Sequence, residues 1–282
     1  MDTALGKKKW KAIVLEESFN NIDGLESLSS IKEGLYKDTY RCVYKGRKAI
    51  LSQYRIDKNC FNLDPKREAS LLSDIEELNL TPDVLFYDDQ SKIIISEEID
   101  GEIFTGSEKR EFMLSGLAKS LATLHSYRID SFEHTFQDSL NFYREQISDD
   151  RGDRIFDKAT ELYSSLYDRD GIICLCHNDL HPENILIGKR IQFIDWEYAS
   201  LNLPSFDIAY VIEHFGLAEK EIMHFLSEYG FNHCDGGLEA LELARKLTRY
   251  TTLIWLLILN KYYTMNASET KLMTSLIKEL KI

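Results

Sequence analysis

The sequence predicts an α+β protein of two lobes, a small β-rich N-terminal lobe and a larger, mostly helical C-terminal lobe. Short alternating apolar runs fill residues 31–100, whereas apolar residues recur at helical spacing after Ser107. The 282 residues also approach the upper limit for one hydrophobic core. The lobes are predicted to meet at Ile99-Asp100-Gly101, which divides the chain into residues 1–100 and 101–282.

Two strand pairs and one helix are predicted in the small lobe. Alternating apolar residues between polar turns indicate the strands, and Pro65 suits the first turn of the helix. The residue before Pro82 disfavours helical geometry, so the helix should end before it. The predicted strands are 39–43, 49–54, 84–87 and 93–97, and the predicted helix is 65–78.

The larger lobe should be a series of helices interrupted by one strand-rich segment. Ser107 can cap the first helix, because Glu108 and Glu111 follow in its first turn. Further helices are predicted at 138–147, 153–169, 207–215, 218–229, 237–264 and 268–280, and the strand-rich segment is 172–195.

Composition excludes several classes of protein. The net charge is −13, whereas a nucleic-acid binder usually carries a basic surface. Most of the excess negative charge lies in residues 101–282, which carry −9, while residues 1–100 carry −4. The five cysteines are odd in number and form no CxxC pair, which argues against a disulfide framework. The N-terminus shows no signal peptide, and the longest apolar run, 253–259, is too short to span a bilayer. We therefore expect a cytoplasmic protein.

The chemically informative segment is 176–195. Its second half predicts a hairpin, with two apolar strands around Gly188-Lys-Arg190, and this hairpin brings Asn184 and Asp195 near each other. Amide and carboxylate oxygens suit Mg²⁺. Asp179, five residues before Asn184, could orient a hydroxyl and receive its proton, as phosphoryl transfer requires.

These residues resemble a known family. The segment His-Asn-Asp-Leu-His-Pro-Glu-Asn at 177–184 looks like the catalytic loop of protein kinases and of the aminoglycoside phosphotransferase/choline kinase superfamily. Ile-Asp-Trp-Glu-Tyr-Ala at 194–199 is most similar to choline and ethanolamine kinases, and segments 117–126 and 206–209 also match the superfamily. Protein kinases usually have Arg and Lys where this chain has Asn178 and His181, and Asp-Phe-Gly after the hairpin.

The resemblance implies a protein-kinase-like fold and a phosphotransferase with an alcohol group as acceptor, using ATP and Mg²⁺. Residues 1–100 would bind the nucleotide, and residues 101–282 would carry the catalytic and acceptor sites. The implied roles are base or hydroxyl-orienting carboxylate for Asp179, metal ligands for Asn184 and Asp195, and bracing of the catalytic loop by hydrogen bonds for His177 and Asp207.

The small lobe matches the family less well. Gly34 to Tyr40 occupies the place of a phosphate-covering loop, with Lys37 or Thr39 as helpers. The resemblance implies a cation late in the next strand, where alignment places Ser52, so Lys48 and Arg55 are the available cations. Other implied nucleotide-site residues are Glu68, as the carboxylate paired with that cation, and the hinge Glu97, Glu98 and Ile99, whose backbone would bind adenine.

A cationic amino alcohol, choline or ethanolamine, is the predicted acceptor. Aromatic faces and carboxylates bind quaternary ammonium well, and Glu197, Tyr198 and Trp255 are the candidates, although Trp255 lies in an apolar helix and could be a core residue. An aminoglycoside or thiamine phosphotransferase is an alternative, because these acceptors are also cations. Ser52 and the poor glycine loop motivate a second alternative, a non-catalytic kinase-fold binding module. A protein kinase is disfavoured by the departures at 178, 181 and 195–197.

Overall fold

The computed structural model describes residue 19 and residues 22–55, 59–104, 110–147, 149–231 and 237–282 of the chain. Two compact units divide these residues. The first comprises the described parts of Met1–Lys58, with Pro65–Ser73 and Pro82–Asp100. The second comprises Asn59–Asp64, Asp74–Thr81 and the described parts of Gly101–Ile282. The predicted helix start at Ser107 lies outside the described residues.

A five-stranded antiparallel sheet forms the first unit, with strand order β1-β2-β3-β5-β4. Apolar residues on opposite faces of β3 explain its packing. Ala49 and Leu51 are fully buried in one cluster, whereas Tyr54 points to the other face and packs with Ala69 of helix α1. The elements are β1 (Leu25–Glu33), β2 (Lys37–Tyr44), β3 (Arg47–Tyr54), α1 (Pro65–Asp74), β4 (Val84–Asp88) and β5 (Ile93–Glu97).

The second unit is mostly helical and contains two small antiparallel sheets, β6-β8-β9 and β10-β7. Its strands are β6 (Glu102–Ile103), β7 (Cys174–Cys176), β8 (Ile185–Ile187), β9 (Ile191–Phe193) and β10 (Ser200–Asn202). Its helices are α2 (Arg110–Ser126), α3 (Phe136–Gln146), α4 (Asp150–Asp170), α5 (Pro204–Phe215), α6 (Glu219–Tyr229), α7 (Gly237–Tyr262) and α8 (Ala267–Leu280).

Local signals explain where several of these helices begin and end. Thr135 and Asn266 cap α3 and α8, and each forms a capping box with an acidic residue three positions later. Gly216 ends α5 in the left-handed conformation, which glycine adopts without steric cost. Long α7 packs against both α4 and α5, so its apolar face is buried along most of its length.

The elements agree with the predicted α+β class and differ in detail. The helix predicted over 65–78 ends at Asp74, followed by a 3₁₀ turn at Glu76–Leu78 and left-handed Asn79. Strand β1 was not predicted, because eight of its nine residues are exposed and it shows no apolar alternation. Within the described part of the chain, no helix is long and apolar enough to cross a membrane.

Candidate active site

The hairpin β8–β9 aligns the two predicted metal ligands. Ile185 pairs with Phe193, and the Ile194 amide donates to the Asn184 carbonyl at 3.0 Å. Asn184 therefore lies opposite Ile194 and beside Asp195, at the open end of the hairpin. Asp195 has a φ of 69°, a left-handed conformation in which Asp is enriched, and it starts the 3₁₀ turn Trp196–Tyr198.

Asp179 is held through both carboxylate oxygens. The Asn184 side chain donates from Nδ2 to Oδ2 of Asp179 and to its carbonyl, each at 2.9 Å. The Tyr210 hydroxyl donates to Oδ1 at 2.7 Å. Tyr210 was not among the residues predicted for the site, although its position carries a signal. Tyr210 lies three residues after Asp207 on helix α5, so both residues share one helix face.

Tyr210 is a fixed hydrogen-bond donor. Burial, with the negative charge of Asp179 as a second cause, raises the pKa of the Tyr210 phenol well above its ordinary value. The phenol therefore keeps its proton at neutral pH. The ring of His214, one helical turn further along α5, stacks on Tyr210 with centroids 4.1 Å apart. This contact limits the positions that the hydroxyl can take.

His177 is fully buried and contacts the hairpin rather than Asp179. Its Nε2 lies 3.0 Å from the Ile194 carbonyl oxygen, and its ring packs 4.7 Å from Trp196. Burial lowers the pKa of His177 to about 4, so the imidazole is neutral at physiological pH. Because a carbonyl can only accept, the single proton must lie on Nε2. These contacts agree with the bracing role that the family resemblance implies.

Asp207 holds the backbone of the loop that carries Asp179. Its Oδ2 accepts from the His177 amide and its Oδ1 from the Asn178 amide, each at 2.8 Å. His125 Nε2 also lies 3.2 Å from Oδ2. The carboxylate is fully buried, and these hydrogen bonds replace those that it would make with water.

Asn178 joins the same loop to the segment that follows Asp195. Its φ of 64° is left-handed, which Asn tolerates better than most residues. Its Nδ2 donates to the Tyr198 carbonyl at 2.9 Å and to Ser200 Oγ at 2.8 Å, while its Oδ1 accepts from Asn202 at 2.7 Å. Hydrogen bonds therefore connect the loop that carries Asp179 to the segment that contains Tyr198, a residue predicted to contact the acceptor.

The predicted acceptor residues are brought together in part. Trp255 Nε1 donates to the Tyr198 hydroxyl at 3.1 Å, and the half-buried Trp255 ring stacks on Phe61 with centroids 5.4 Å apart. Glu197 is buried, with 7% of its surface exposed, so it is not a surface carboxylate. Phe61 was not predicted, because nothing in its local pattern points to α7.

In the first unit, Gly34 closes the turn between β1 and β2. Its amide donates to the Lys37 carbonyl at 2.9 Å, and a Cβ at Gly34 would lie 2.3 Å from that oxygen, so only glycine fits. Arg55 secures the same turn. Its guanidinium pairs with buried Asp38 at 2.9 Å and also donates to the Gly34 carbonyl.

Glu68 of α1 is buried and accepts a hydrogen bond from the Tyr54 hydroxyl. The family resemblance implies a cation as the partner of this carboxylate. Lys48 is exposed at the start of β3, opposite Val43. The guanidinium of Arg55, the other expected cation, forms an ion pair with Asp38.

The predicted hinge, residues 97–99, forms backbone hydrogen bonds within the first unit. The Glu97 amide donates to the Asp83 carbonyl at 2.9 Å, and the Glu98 amide donates to the Lys48 carbonyl at 3.1 Å. The Glu98 side chain pairs with Arg41 at 2.6 Å. The backbone amides of Glu97 and Glu98 are therefore both used in hydrogen bonds within the first unit.

Asn184 and Asp195 fit a hard divalent cation. Because Asn184 uses its amide nitrogen as the donor to Asp179, its Oδ1 is the atom that can ligate. Asp195 adds a carboxylate from the adjacent position across the hairpin. An amide and a carboxylate oxygen form a donor set that suits Mg²⁺, which usually takes few protein ligands and completes its shell with water and phosphate.

Comparisons with known proteins identify the family of the chain. The family described as "Phosphotransferase enzyme family" matches residues 27–243. The chain is 32% identical over 168 residues to a LicA homologue of Metamycoplasma hominis, a match that covers 58% of this chain and 66% of that protein. The matched stretch thus spans just under two thirds of the relative's length.

Two solved structures share the fold. One is the choline kinase LicA from Streptococcus pneumoniae, with a TM-score of 0.77 and 18% identity over 96% of this chain and 99% of that one. The other is a spectinomycin phosphotransferase in complex with ADP and spectinomycin, with a TM-score of 0.62 and 16% identity over 95% and 93%. The predicted kinase-like fold is confirmed by these likenesses.

Proposed function

The chain belongs to the phosphotransferase enzyme family, and we propose that it transfers the γ-phosphoryl group of ATP to the hydroxyl of choline or ethanolamine, with Mg²⁺. The observation that carries this proposal is the arrangement of Asp179. Donors from Tyr210 and Asn184 hold both of its carboxylate oxygens, beside the hairpin end where Asn184 and Asp195 lie.

In the proposed reaction the acceptor hydroxyl oxygen bonds to the γ-phosphorus as the bond to the β–γ bridging oxygen of ATP breaks, which releases ADP. Asp179 orients the hydroxyl and receives its proton. Because both oxygens of the Asp179 carboxylate are held by hydrogen bonds, the side chain is already oriented before the acceptor binds. Such positioning is a large part of catalysis in phosphoryl transfer.

We assign Asn184 and Asp195 to hold Mg²⁺, which when bound neutralises charge on the phosphates. His177 holds the hairpin through the Ile194 carbonyl, and Asp207 holds the loop backbone. The residues that brace the loop thus differ from those that meet the substrates. Gly34, Lys37, Lys48, Arg55, Glu68 and the hinge 97–99 remain our candidates for the nucleotide site.

The acceptor proposal rests on Glu197, Tyr198 and Trp255, with Phe61 behind the indole. A cation held over aromatic faces gains about 0.5–2 kcal/mol per contact, more when water is excluded. Buried Glu197 adds a carboxylate to the same proposed site. The similarity to LicA proteins supports choline as the first acceptor to test.

The test is ADP release by the purified full chain with Mg²⁺-ATP and one acceptor at a time. Choline or ethanolamine should stimulate release, and Asp179→Asn should lower kcat by about 10²–10⁴-fold, the range of general base catalysis. Asp168→Asn, the same change at an exposed position of α4, is the control. Wild-type rates from Asp179→Asn would remove the base assignment.

An aminoglycoside acceptor is the runner-up, supported by the fold shared with the spectinomycin enzyme. The same assay with spectinomycin, kanamycin and thiamine decides between acceptor classes. A non-catalytic binding module is the second alternative. For such a module, no acceptor should stimulate ADP release, whether or not calorimetry detects binding of Mg²⁺-ATP.

A further inference from the structure

Strand β7 places two thiols on one face of its sheet, beside the last turn of α2. Cys174 and Cys176 are two residues apart in β7, so their side chains project to the same side. His125 lies next to them, in the last turn of α2. Both cysteines are buried, and the His125 side chain is only 4% exposed. Two sulfur atoms and an imidazole therefore meet inside the second unit.

The three side chains have the spacing of a tetrahedral metal site. Zn²⁺ binds thiolate sulfur at about 2.3 Å and imidazole nitrogen at about 2.0–2.1 Å. At tetrahedral angles, these bonds set two sulfurs about 3.8 Å apart and a sulfur and a nitrogen about 3.5 Å apart. Cys176 Sγ lies 3.7 Å from Cys174 Sγ and 3.8 Å from His125 Nε2. The three ligand atoms all lie within 4.8 Å of one another, so small side-chain rotations would bring them to one ion.

The charge balance of this cluster favours a divalent ion. Burial, with the hydrogen bond to Cys174 as a second cause, raises the pKa of the Cys176 thiol well above its ordinary value, so the metal-free thiol keeps its proton. A divalent ion would displace both thiol protons to solvent, and the two thiolates would balance its two positive charges. With a neutral imidazole as third ligand, the complex carries no net charge, which removes the main cost of burying an ion.

His125 also has a partner for the ring nitrogen that faces away from the sulfurs. Its Nδ1 lies 2.8 Å from the Tyr229 hydroxyl at the end of α6. With a metal on Nε2, Nδ1 carries the proton and donates to that hydroxyl oxygen, and such partners orient the imidazoles that bind metals. A cavity of about 550 Å³ adjoins His125 and is also lined by Pro204 and Tyr229. This cavity offers a route for the ion and room for a water molecule as its fourth ligand.

Metal binding would compete with a contact of the catalytic loop. His125 Nε2 lies 3.2 Å from Asp207 Oδ2, and one ring nitrogen cannot both donate to a carboxylate and bind a metal. Asp207 would keep its hydrogen bonds from the amides of His177 and Asn178. An ion at the cluster would therefore remove one of three groups that contact the carboxylate bracing this loop.

We propose that Cys174, Cys176 and His125 form a binding site for Zn²⁺ or a similar thiophilic divalent cation, separate from the proposed Mg²⁺ site. The donor atoms decide the class of metal. Thiolate and imidazole ligands select soft and borderline ions, whereas the amide and carboxylate oxygens of Asn184 and Asp195 suit Mg²⁺. This site does not depend on the proposed phosphoryl transfer, and its tests read metal binding rather than turnover.

Titration of the full chain with Co²⁺, under a phosphine reductant and without oxygen, tests the proposal. Thiolate ligation gives Co²⁺ a charge-transfer band in the near ultraviolet, and this band should saturate at one ion per chain. Zn²⁺ should displace Co²⁺, and excess Mg²⁺ should not. Cys174→Ala should weaken Co²⁺ binding by about 10²-fold or more, because one of three protein ligands is lost. Cys42→Ala, which removes a buried thiol of the first unit, is the matched control and should bind as wild type does.

X-ray absorption of the Zn²⁺-loaded wild-type chain gives a second measurement that needs no variant to fold. Two sulfur neighbours at about 2.3 Å are expected, with nitrogen or oxygen neighbours at about 2.0–2.1 Å. A shell of nitrogen and oxygen alone would overturn the proposal, because it would place the ion away from the cysteines. A wild-type chain without the charge-transfer band, an equal band in Cys174→Ala, or displacement of Co²⁺ by Mg²⁺ would also overturn it.

Discussion

The hydroxyl of Tyr210 on α5 donates a 2.7 Å hydrogen bond to Oδ1 of Asp179, 31 residues earlier in the chain. Together with Asn184 on Oδ2, it fixes the orientation of the carboxylate. A neutral donor whose pKa lies well above 10 is suited to this task, because it orients Asp179, the proposed base, and keeps its own proton at neutral pH.

Tyr210→Phe should lower kcat by about ten-fold and leave the KM for ATP unchanged. The variant removes one hydrogen bond to a charged group, worth about 1.5–3 kcal/mol, and keeps the ring that stacks on His214. Steady-state kinetics provide the measurement, with Tyr163→Phe of α4 as the control. A rise in KM with an unchanged kcat would mean that Tyr210 binds substrate instead of positioning the base.

Trp255→Leu should raise the KM for choline by about ten-fold and leave the KM for ATP unchanged, because it removes an aromatic face from the proposed acceptor site. Trp255→Phe keeps a ring against Phe61 and should lose less. Phe112→Leu, at a residue that is 78% exposed, is the control for loss of an aromatic ring. Equal effects on both substrates would indicate damage to packing in α7.

Asp207→Asn should reduce the free energy of unfolding by about 3 kcal/mol, measured by urea denaturation. The two backbone amides of His177 and Asn178 converge on its two oxygens, and an Asn side chain offers only one oxygen acceptor. The exposed Asp168→Asn provides the comparison. A stability equal to wild type would show that the loop does not depend on the second oxygen.

His177 should make the fold less stable in acid. Its pKa falls from 6.5 to about 4 on folding, so the unfolded chain binds more protons between these values and stability declines as the pH falls from about 6.5 towards 4. By linkage the loss between pH 7 and pH 5 is at most about 2 kcal/mol. Urea midpoints across this range provide the measurement.

The matched variant for this pH effect is His177→Gln, which cannot titrate and can still donate to the Ile194 carbonyl. Its stability should change less between pH 7 and pH 5 than that of wild type. Parallel pH curves for the two proteins would mean that His177 is not the group responsible.

The parts of the fold that were predictable from the sequence are those with a local pattern. The hairpin around Gly188-Lys-Arg190 was predicted because two apolar strands flank a turn, and it forms as β8–β9. The helices after residue 110 follow the apolar spacing within a few residues. Strand β1 escaped prediction, since exposed residues on both faces leave no alternation to detect.

Within the site too, prediction from the sequence succeeded only where the residues lie in one local pattern. Asp179, Asn184 and Asp195 lie in one short segment of the sequence, so their proximity could be predicted. Phe61 lies far from this motif in the sequence, and its contact with Trp255 depends on tertiary packing. Tyr210 shares a helix face with Asp207, but its hydrogen bond to Asp179 also depends on tertiary packing. The hydrogen bond from Tyr54 to Glu68 joins β3 to α1, and no local sequence pattern specified this contact.

The side-chain amide of Asn178 limits how a new acceptor specificity could evolve at the proposed site. It links the loop before Asp179 to Tyr198, Ser200 and Asn202, so a shift of one backbone segment would move the other. Selection for a larger acceptor should therefore enrich side-chain replacements, for example at Glu197 and Trp255. Substitutions at Asn178 should be lost under the same selection, because they would disturb Asp179, the proposed base, together with the proposed acceptor site.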